Sequence, residues 1–570
     1  MNYTKENLKL REFQKEAIEF LKERPRAICC LPTGTGKTIV SFSTFAKLKE
    51  ANPQLKLIYV TEKPLIKQTI TQDLPTYFNL TFTYIYNNTK AERIARYKEW
   101  LKLFDILVIN YTSLRIDFND IGNILAQHKT PLISIFDEAT NFRNTEAQIT
   151  QCVKLLSKAS VNSYALTATP ASRGLYDIFS IMMTMGVAPY QNKIIFNKIH
   201  AVWNTKKMYL FKMGDKSAMG IGKPYENTDN AQVCYMSFKK RFNLDGKVSI
   251  MTAPKTGIFQ ILDNHKGTFS WAIYNEVFTK ANILIMNNDK RLVVTANVFN
   301  EVKHTGYKNL KIFRERTNNA MFVRAKREIV QELPPVTVSV RYCDEDPQSI
   351  EAVKVVYSDE KHSANQVEIA QATPQAYLAI ESNYKTDKIQ RLIDFIKYDI
   401  ENEKVIIYFP YTTTTAILKE ILEAELKQKV AYCYGGNKDN NGELQRFLNS
   451  KDIQVLIGTN TILKGLNIQE VNHIVVLQPP YTAEQYIQLI GRINRIGGDY
   501  KPKFITHFLC EDTRDIDIYK ALNAQLKHIN DINPQLIEDG LLIDSQDSMD
   551  EREARTFLDK SLEARKTKYL

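Results

Sequence analysis

No apolar run in this 570-residue chain approaches the roughly 18 residues that a membrane-spanning helix needs. The opening stretch MNYTKENLKLREF is polar and charged, so no signal peptide is expected. The expectation is a soluble intracellular protein with no membrane partner, placed in cytoplasm or nucleoid, or in the nucleus if the source is eukaryotic or viral. Cysteine is sparse: seven residues, none in a CxxC pair, which excludes a disulfide framework and a zinc site of the usual spacing. Cys29 and Cys30 are adjacent on a predicted core strand and read as buried thiols in a reducing compartment. The second half of the chain has no glycine-rich phosphate loop, and no histone-tail reader is recognisable anywhere in it.

What is present is ordinary globular composition, 44% hydrophobic and 25% charged, with length enough for about three or four domains. The formal charge of +12 is unevenly spread. Residues 191 to 330 carry 24 Lys plus Arg against 10 Asp plus Glu, a net of +14, which leaves −2 for the rest. A basic block of this kind is the footprint of a polyanion-binding module. Trp203, Tyr209, Phe211, Phe238, Phe242, Phe269, Trp271 and Tyr274 are interleaved through it, many of them read as local core.

The chain is organised around RAICCLPTGTGKTIVSF, residues 26 to 42. An apolar run from Ala27 to Leu31 leads into a loop with Thr33, Gly34, Thr35 and Gly36, then Lys37 and Thr38 open an apolar-periodic helix. In such a unit backbone N–H groups cradle phosphate oxygens and the helix N-terminus adds its dipole. Lys37 would reach the terminal phosphates and the Thr38 hydroxyl would ligate Mg²⁺, so a nucleoside triphosphate is the expected ligand. Leu31 stands where the general pattern has glycine.

Upstream, LKLREFQKEAIEFLK (8 to 22) has helical spacing, with Leu10, Phe13, Ala17, Ile18 and Leu21 on one side and the Gln14 amide suited to the edges of adenine. Downstream, strand-like runs at 55–62, 105–114, 132–139 and 163–170 alternate with helical ones, the rhythm of a parallel sheet covered on both faces. Chemistry in such sheets gathers at the carboxyl ends of the strands. There Asp137 closes an apolar strand, where a carboxylate needs a cationic partner such as nucleotide-bound Mg²⁺. Glu138 beside it can orient or deprotonate the attacking water. Thr167 and Thr169 could link the γ-phosphate region to a moving lobe, and Thr61 with Lys63 could hold a nucleic-acid phosphate. A second alternating series occupies 404–410, 429–436, 453–460, 473–480 and 504–512. It carries ILKGLNIQ (462 to 469) and QLIGRINRIG (488 to 497), in which Arg492 and Arg495 share a helix face and could stabilise phosphoryl-transfer charge. Residues 513 to 570 are charged and helix-prone, and DSQDSMDEREARTFLDKSLEARKTKYL is read as peripheral.

In this order the segments resemble the motifs of superfamily two helicases and translocases: Gln14, LPTGTGKT, TEKPLIKQT, DEAT, TAT, KGLNIQ and QLIGRINR. The likeness covers roughly 8 to 185 and 385 to 512. DEATNFRN with Asn144, GYKNL followed by FVRAKREIVQELPP, ESNYKTDKI and RINRIG are most similar to the Swi/Snf-type DNA translocases. Three departures stand out: Thr140 where histidine is frequent, LPTGTGKT in place of DxGLGKT, and RIGG without the glutamine that often follows RIG.

The resemblance implies an α/β fold of two tandem RecA-like doubly wound parallel-sheet lobes with a basic insertion between them. The expected division is lobe one at 1–189, a DNA-contacting insertion at 190–335, a linker at 336–384, lobe two at 385–515 and a charged helical extension at 516–570. It implies ATP and Mg²⁺ as cofactors, with Lys37, Thr38, Asp137 and Glu138 as the ATPase centre, Arg492 and Arg495 as arginine fingers, and Gln14, Gly465 and Gln488 on the nucleotide side of the lobe interface. The leading expectation is an ATP-driven motor on duplex DNA, bound without sequence preference. A strand-separating DNA or RNA helicase comes second, and a non-hydrolysing nucleic-acid scaffold third.

Overall fold

The computed structural model describes residues 3–128, 130–172, 174–190, 192–213, 216–224, 231–236, 248–252, 258–264, 268–274, 280–287, 290–329, 335–345, 386–400, 402–437, 439–463, 468, 470–494, 501–536, 541 and 548–569. Two compact units emerge, one from Met1–Pro189 with Arg314–Leu570 and one from Tyr190–Phe313.

The first parallel sheet begins with β1 (Arg26–Cys30), β2 (Lys56–Thr61), β3 (Phe82–Tyr84), β4 (Ile106–Asn110), β5 (Leu132–Phe136) and β6 (Asn162–Thr167). These are the apolar, β-branched runs of the sequence, and the strands are buried almost throughout, as a sheet covered on both faces requires. The amphipathic helix Glu12–Lys22 buries Phe13, Ala17, Ile18 and Leu21 against this sheet. Strand order places β6 between β1 and β5, so the phosphate loop after β1 and the acidic pair after β5 flank the same strand end.

The unit at 190–313 is an eight-stranded sheet with every pairing antiparallel. Its strands are β7 (Ala201–Met213), β8 (Lys216–Pro224), β9 (Ala231–Met236), β10 (Val248–Thr252), β11 (Ile258–Asn264), β12 (Thr268–Tyr274), β13 (Lys280–Asn287) and β14 (Lys290–Tyr307). They run in the order β10-β13-β14-β7-β8-β9-β12-β11. Phe238 and Phe242 lie outside the described residues, as do the side chains of the other aromatics named in this segment.

After this unit the chain rejoins lobe one, which corrects the assignment of everything up to residue 335 to the insertion. Strand β15 (Met321–Val323) pairs in parallel with β1, Ile28 opposite Met321, and becomes the sheet edge. Arg24 donates to the Asn319 carbonyl at 2.8 Å and Arg324 meets Glu16 at 3.1 Å. A three-residue strand beside a basic run leaves no readable period. Likewise β16 (Val336–Cys343), placed in the linker from sequence, is the edge strand of lobe two and pairs along its whole length with the last strand of that sheet. The alternation VTVSV was the available signal.

Lobe two continues with β17 (Val405–Tyr408), β18 (Ala431–Cys433), β19 (Val455–Gly458), β20 (His473–Val476) and β21 (Lys503–Cys510), in the order β16-β21-β20-β17-β19-β18, all parallel. The carboxyl-terminal region is not peripheral. Helix Arg514–Ile532 buries Ile518, Leu522 and Leu526, and helix Glu551–Tyr569 packs on it through Ala554 and Leu558. The Arg514 guanidinium donates to the Leu558 carbonyl at 2.8 Å and so ties the two helices together. Among the described residues six cysteines are free and buried, and burial pushes the Cys29 thiol up to about 12. No described helix is long and apolar enough to cross a membrane.

Candidate active site

The phosphate loop is shaped by two left-handed glycines, Gly34 at φ 75° and Gly36 at φ 83°, conformations in which a Cβ would be strained. Gly36 caps helix Lys37–Ala51, whose first N–H groups face the loop. Leu31 is fully buried in the lobe-one core, which accounts for an apolar residue at the position usually held by glycine. Its carbonyl accepts from Lys37 Nζ at 3.1 Å, and the Pro32 carbonyl does so at 3.4 Å. Thr35 Oγ1 donates to the Pro32 carbonyl at 2.7 Å.

Gln14 is buried and braces the loop. Its Nε2 donates to the Thr35 carbonyl at 3.0 Å, and its Oε1 accepts from the Arg11 N–H at 2.9 Å. A Cβ at Gly36 would stand 2.7 Å from that same Nε2, so amide and glycine fit each other. The sequence showed an amide near the loop, not that its carbonyl oxygen is already engaged.

Asp137 leaves the end of β5 fully enclosed. Its Oδ2 accepts from Tyr59 Oη at 3.0 Å and from Thr61 Oγ1 at 3.1 Å, its Oδ1 from the Glu138 N–H at 3.1 Å. Burial pushes the carboxyl up, opposed by the Lys37 charge and these donors. Thr38, at the start of the helix that follows the loop, and Asp137 are the two candidate Mg²⁺ ligands. Both supply hard oxygen donors at a buried carboxylate, a set that fits Mg²⁺. Thr61 is therefore buried against Asp137 and cannot hold a nucleic-acid phosphate, because β2 ends inside the sheet. Lys63, two residues on, is exposed near the Tyr86 ring.

Glu138 adopts φ 52° and ψ 62°, a left-handed conformation that costs a non-glycine residue roughly 1–2 kcal/mol. Its carbonyl accepts from the Asn141 N–H at 3.0 Å and from Asn141 Nδ2 at 2.9 Å, which hold the bend. Burial lifts its carboxyl to about 7, with Lys37 opposing and Asp137, Glu62 and Glu484 adding to the rise. Tyr111 Oη donates to the Asp137 carbonyl at 2.5 Å. Tyr59 and Tyr111 were not legible as site residues, since a tyrosine on or after an apolar strand reads as core. Thr167 Oγ1 accepts from the Thr169 N–H at 3.2 Å, and the buried Thr169 hydroxyl has no hydrogen-bond partner among the described residues.

Lobe two meets this edge through helix Ala483–Ile493, capped by the Thr482 side chain. Gly491 lies against Thr33 of the phosphate loop. Glu484 accepts from Thr140 Oγ1 at 3.1 Å and from Arg143 Nη1 at 2.8 Å. Gln488 is buried on the same helix, and Arg492, half-buried, follows the loop contact directly. Arg495 and Gly465 lie outside the described residues. The structure thus gathers Gln14, Thr33, Gly34, Thr35, Gly36, Lys37, Thr38, Asp137 and Glu138 on lobe one and sets the helix of Gln488 and Arg492 against them.

A model of the SNF2-related domain matches residues 13–405, and one of the helicase conserved C-terminal domain matches 387–497. Over 126 residues the chain is 32% identical to DNA repair protein rad8 of Schizosaccharomyces pombe, a stretch making up 21% of this chain and 10% of that relative. Over 252 residues it is 24% identical to the ATP-dependent RNA helicase DBP8 of Scheffersomyces stipitis, 43% of this chain and 54% of the relative. These matches span about half or less of the relatives' own lengths. The solved structure of the Sulfolobus solfataricus SWI2/SNF2 ATPase core in complex with dsDNA aligns over 93% of this chain and 94% of its own at 15% identity, TM-score 0.34. The Pyrococcus furiosus Hef helicase domain aligns over 91% and 99% at 14% identity, TM-score 0.47.

Proposed function

The chain belongs to the SNF2-related family, ATP-hydrolysing enzymes of the helicase type, and from that premise we propose that it is a DNA-dependent ATPase that translocates on duplex DNA without sequence preference. The observation that carries the nucleic-acid part is the concentration of the positive charge: residues 191–313, the segment inserted between the two motif-bearing halves, carry 19 Lys plus Arg against 8 Asp plus Glu, +11 of the net +12. Phosphate contacts of that kind hold a duplex while reading none of its sequence. The antiparallel unit at 190–313 is the proposed clamp.

In this reading the amides of residues 34–38 and Lys37 receive the ATP phosphates, and Gln14 keeps the loop in shape. Asp137 and Thr38 would hold Mg²⁺, which neutralises charge on the β- and γ-phosphates. Glu138 orients or deprotonates the attacking water, its carboxylate aimed by the bend at its own backbone. From lobe two Arg492 would meet the charge that develops on the transferred phosphoryl group, beside Gln488, and the sequence motifs assign Arg495 and Gly465 to the same task. Loss of the γ-phosphate removes what both lobes grip, and the lobes part and re-engage one step along the DNA.

The test compares ATPase stimulation by duplex and single-stranded DNA across a salt series, with a strand-displacement assay alongside. The motor reading expects strong duplex stimulation without displacement and a steep loss of binding with salt, a slope of about −0.9 for each phosphate neutralised. Strand displacement would instead favour the helicase reading, to which the likeness to an RNA helicase lends support. Absence of turnover with any nucleic acid would overturn both.

A further inference from the structure

Two contacts pin helix Ala483–Ile493 to lobe one, and they lie seven residues apart. At one end Gly491 abuts Thr33 of the phosphate loop. At the other, Glu484 takes hydrogen bonds from Thr140 and Arg143, the residues two and five positions beyond Glu138. Seven residues are about two helical turns, or roughly 10.5 Å of rise, so the contacts fix both the helix axis and its rotation. Slippage by one residue would turn the helix by about 100° and carry Gly491 off Thr33.

The chemistry at the Glu484 end is built rather than incidental. The Arg143 side chain is 20% exposed and that of Glu484 17%, so the pair is partly shielded from water. Arg143 also lies 3.9 Å from Asp177, which is buried, and 3.7 Å from Glu551 at the start of the carboxyl-terminal helix, and it donates to Ser172. Three carboxylates from lobe one, lobe two and the carboxyl-terminal helix therefore converge on one guanidinium. Remove the cation and they repel across the seam. Remove Glu484 and Arg143 keeps two anionic neighbours. Thr140 occupies the position where the resemblance would place histidine, and here its hydroxyl addresses the same glutamate.

We propose that Glu484 is a positioning residue for ATP hydrolysis: its bonds to Thr140 and Arg143 tie the acidic motif of lobe one to the helix of lobe two and so set where the helix that carries Arg492 meets the phosphate loop. The inference rests on the reading of Arg492 as a transition-state arginine. Glu484 touches neither nucleotide nor water in this role. It acts through the helix.

The experiment measures kcat and KM for ATP, with saturating duplex DNA, on the full chain and on the variants Glu484→Ala, Glu484→Gln, Arg143→Met and the double variant Arg143→Met with Glu484→Ala, each checked by thermal melting. Expected is a fall in kcat of about 10- to 100-fold for Glu484→Ala with KM changed less than about twofold. Glu484→Gln, which keeps the acceptor, recovers part of the rate, and Arg143→Met falls further than Glu484→Ala. The double variant is no slower than Arg143→Met alone, as coupled residues require. Wild-type kcat in Glu484→Ala, or losses that multiply in the double variant, overturn the proposal. Lys37→Ala separates it from the reading beneath: a wild-type chain without turnover, or a Lys37→Ala variant with full turnover, refutes the ATPase site itself.

Discussion

Gly491 in lobe two and Thr33 in lobe one lie so close that a Cβ built on the glycine would stand 1.9 Å from the threonine Oγ1 and 2.5 Å from its Cβ. No side chain fits there without parting the helix from the phosphate loop. Alanine is the better helix former by about 1 kcal/mol, but the overpacking costs about 1–3 kcal/mol, so Gly491→Ala should leave the melting temperature unchanged or lowered by a few degrees. It should still bind ATP, because the loop and Lys37 are intact, while kcat drops by about tenfold or more. Turnover at the wild-type rate would mean that this approach of the lobes is not the one used in hydrolysis.

Glu138 is held by its backbone in a strained bend beside Asp137, and its carboxylate is the group proposed to act on water. Glu138→Gln keeps the shape and removes the charge. ATP binding, read by equilibrium titration with a fluorescent analogue, should persist, and steady-state hydrolysis should fall by about 10²- to 10⁴-fold. Retained turnover with normal binding would reassign the base.

Much of this was legible in the chain itself, and the omissions have physical causes. The two parallel sheets announce themselves because strands buried on both faces must be continuously apolar, as ILVIN at β4 and LISIF at β5 are. The loop residues from Thr33 to Thr38 are contiguous, so their geometry is local and their spacing carries it. By contrast, Arg143 and Glu484 are 341 residues apart, and nothing in either neighbourhood points to the other. Thr61 looked like a surface phosphate ligand because it closes a strand. Only the register beside β5 reveals that it faces Asp137. The antiparallel unit was visible only as charge and aromatics, since its strands lack the helical intervals that mark the lobes.

Gln14 offers a separate check on how nucleotide is held. Its amide bonds the Thr35 carbonyl and the Arg11 N–H, so truncation leaves a loop carbonyl and a helix-end N–H without these partners. Loss of a buried hydrogen-bond partner costs about 1–3 kcal/mol, or a factor of roughly 5 to 150 in affinity. Gln14→Ala should therefore raise KM for ATP, and if bracing is the dominant role it should raise KM for GTP equally. A selective loss for ATP would show instead that the amide reads the base directly.

His507 makes stability depend on pH in a direction the fold dictates. Its ring is enclosed in lobe two, Nε2 lies 2.8 Å from Tyr486 Oη, and Nδ1 has no hydrogen-bond partner among the described residues. Burial pushes its pKa down to about 3, from an ordinary value near 6.5. The unfolded chain thus binds a proton below about pH 6.5 that the folded chain refuses, so the contribution of this group is fully present above that pH and drains away as pH falls toward 3. Between pH 7.5 and 5.5 the loss amounts to about 1 kcal/mol. Urea melts at the two pH values should show a larger drop for the wild type than for His507→Gln, which cannot take up the proton. His473, also lowered by burial, titrates in both proteins and cancels in the difference. Equal drops would mean that the ring gains a proton without unfolding lobe two.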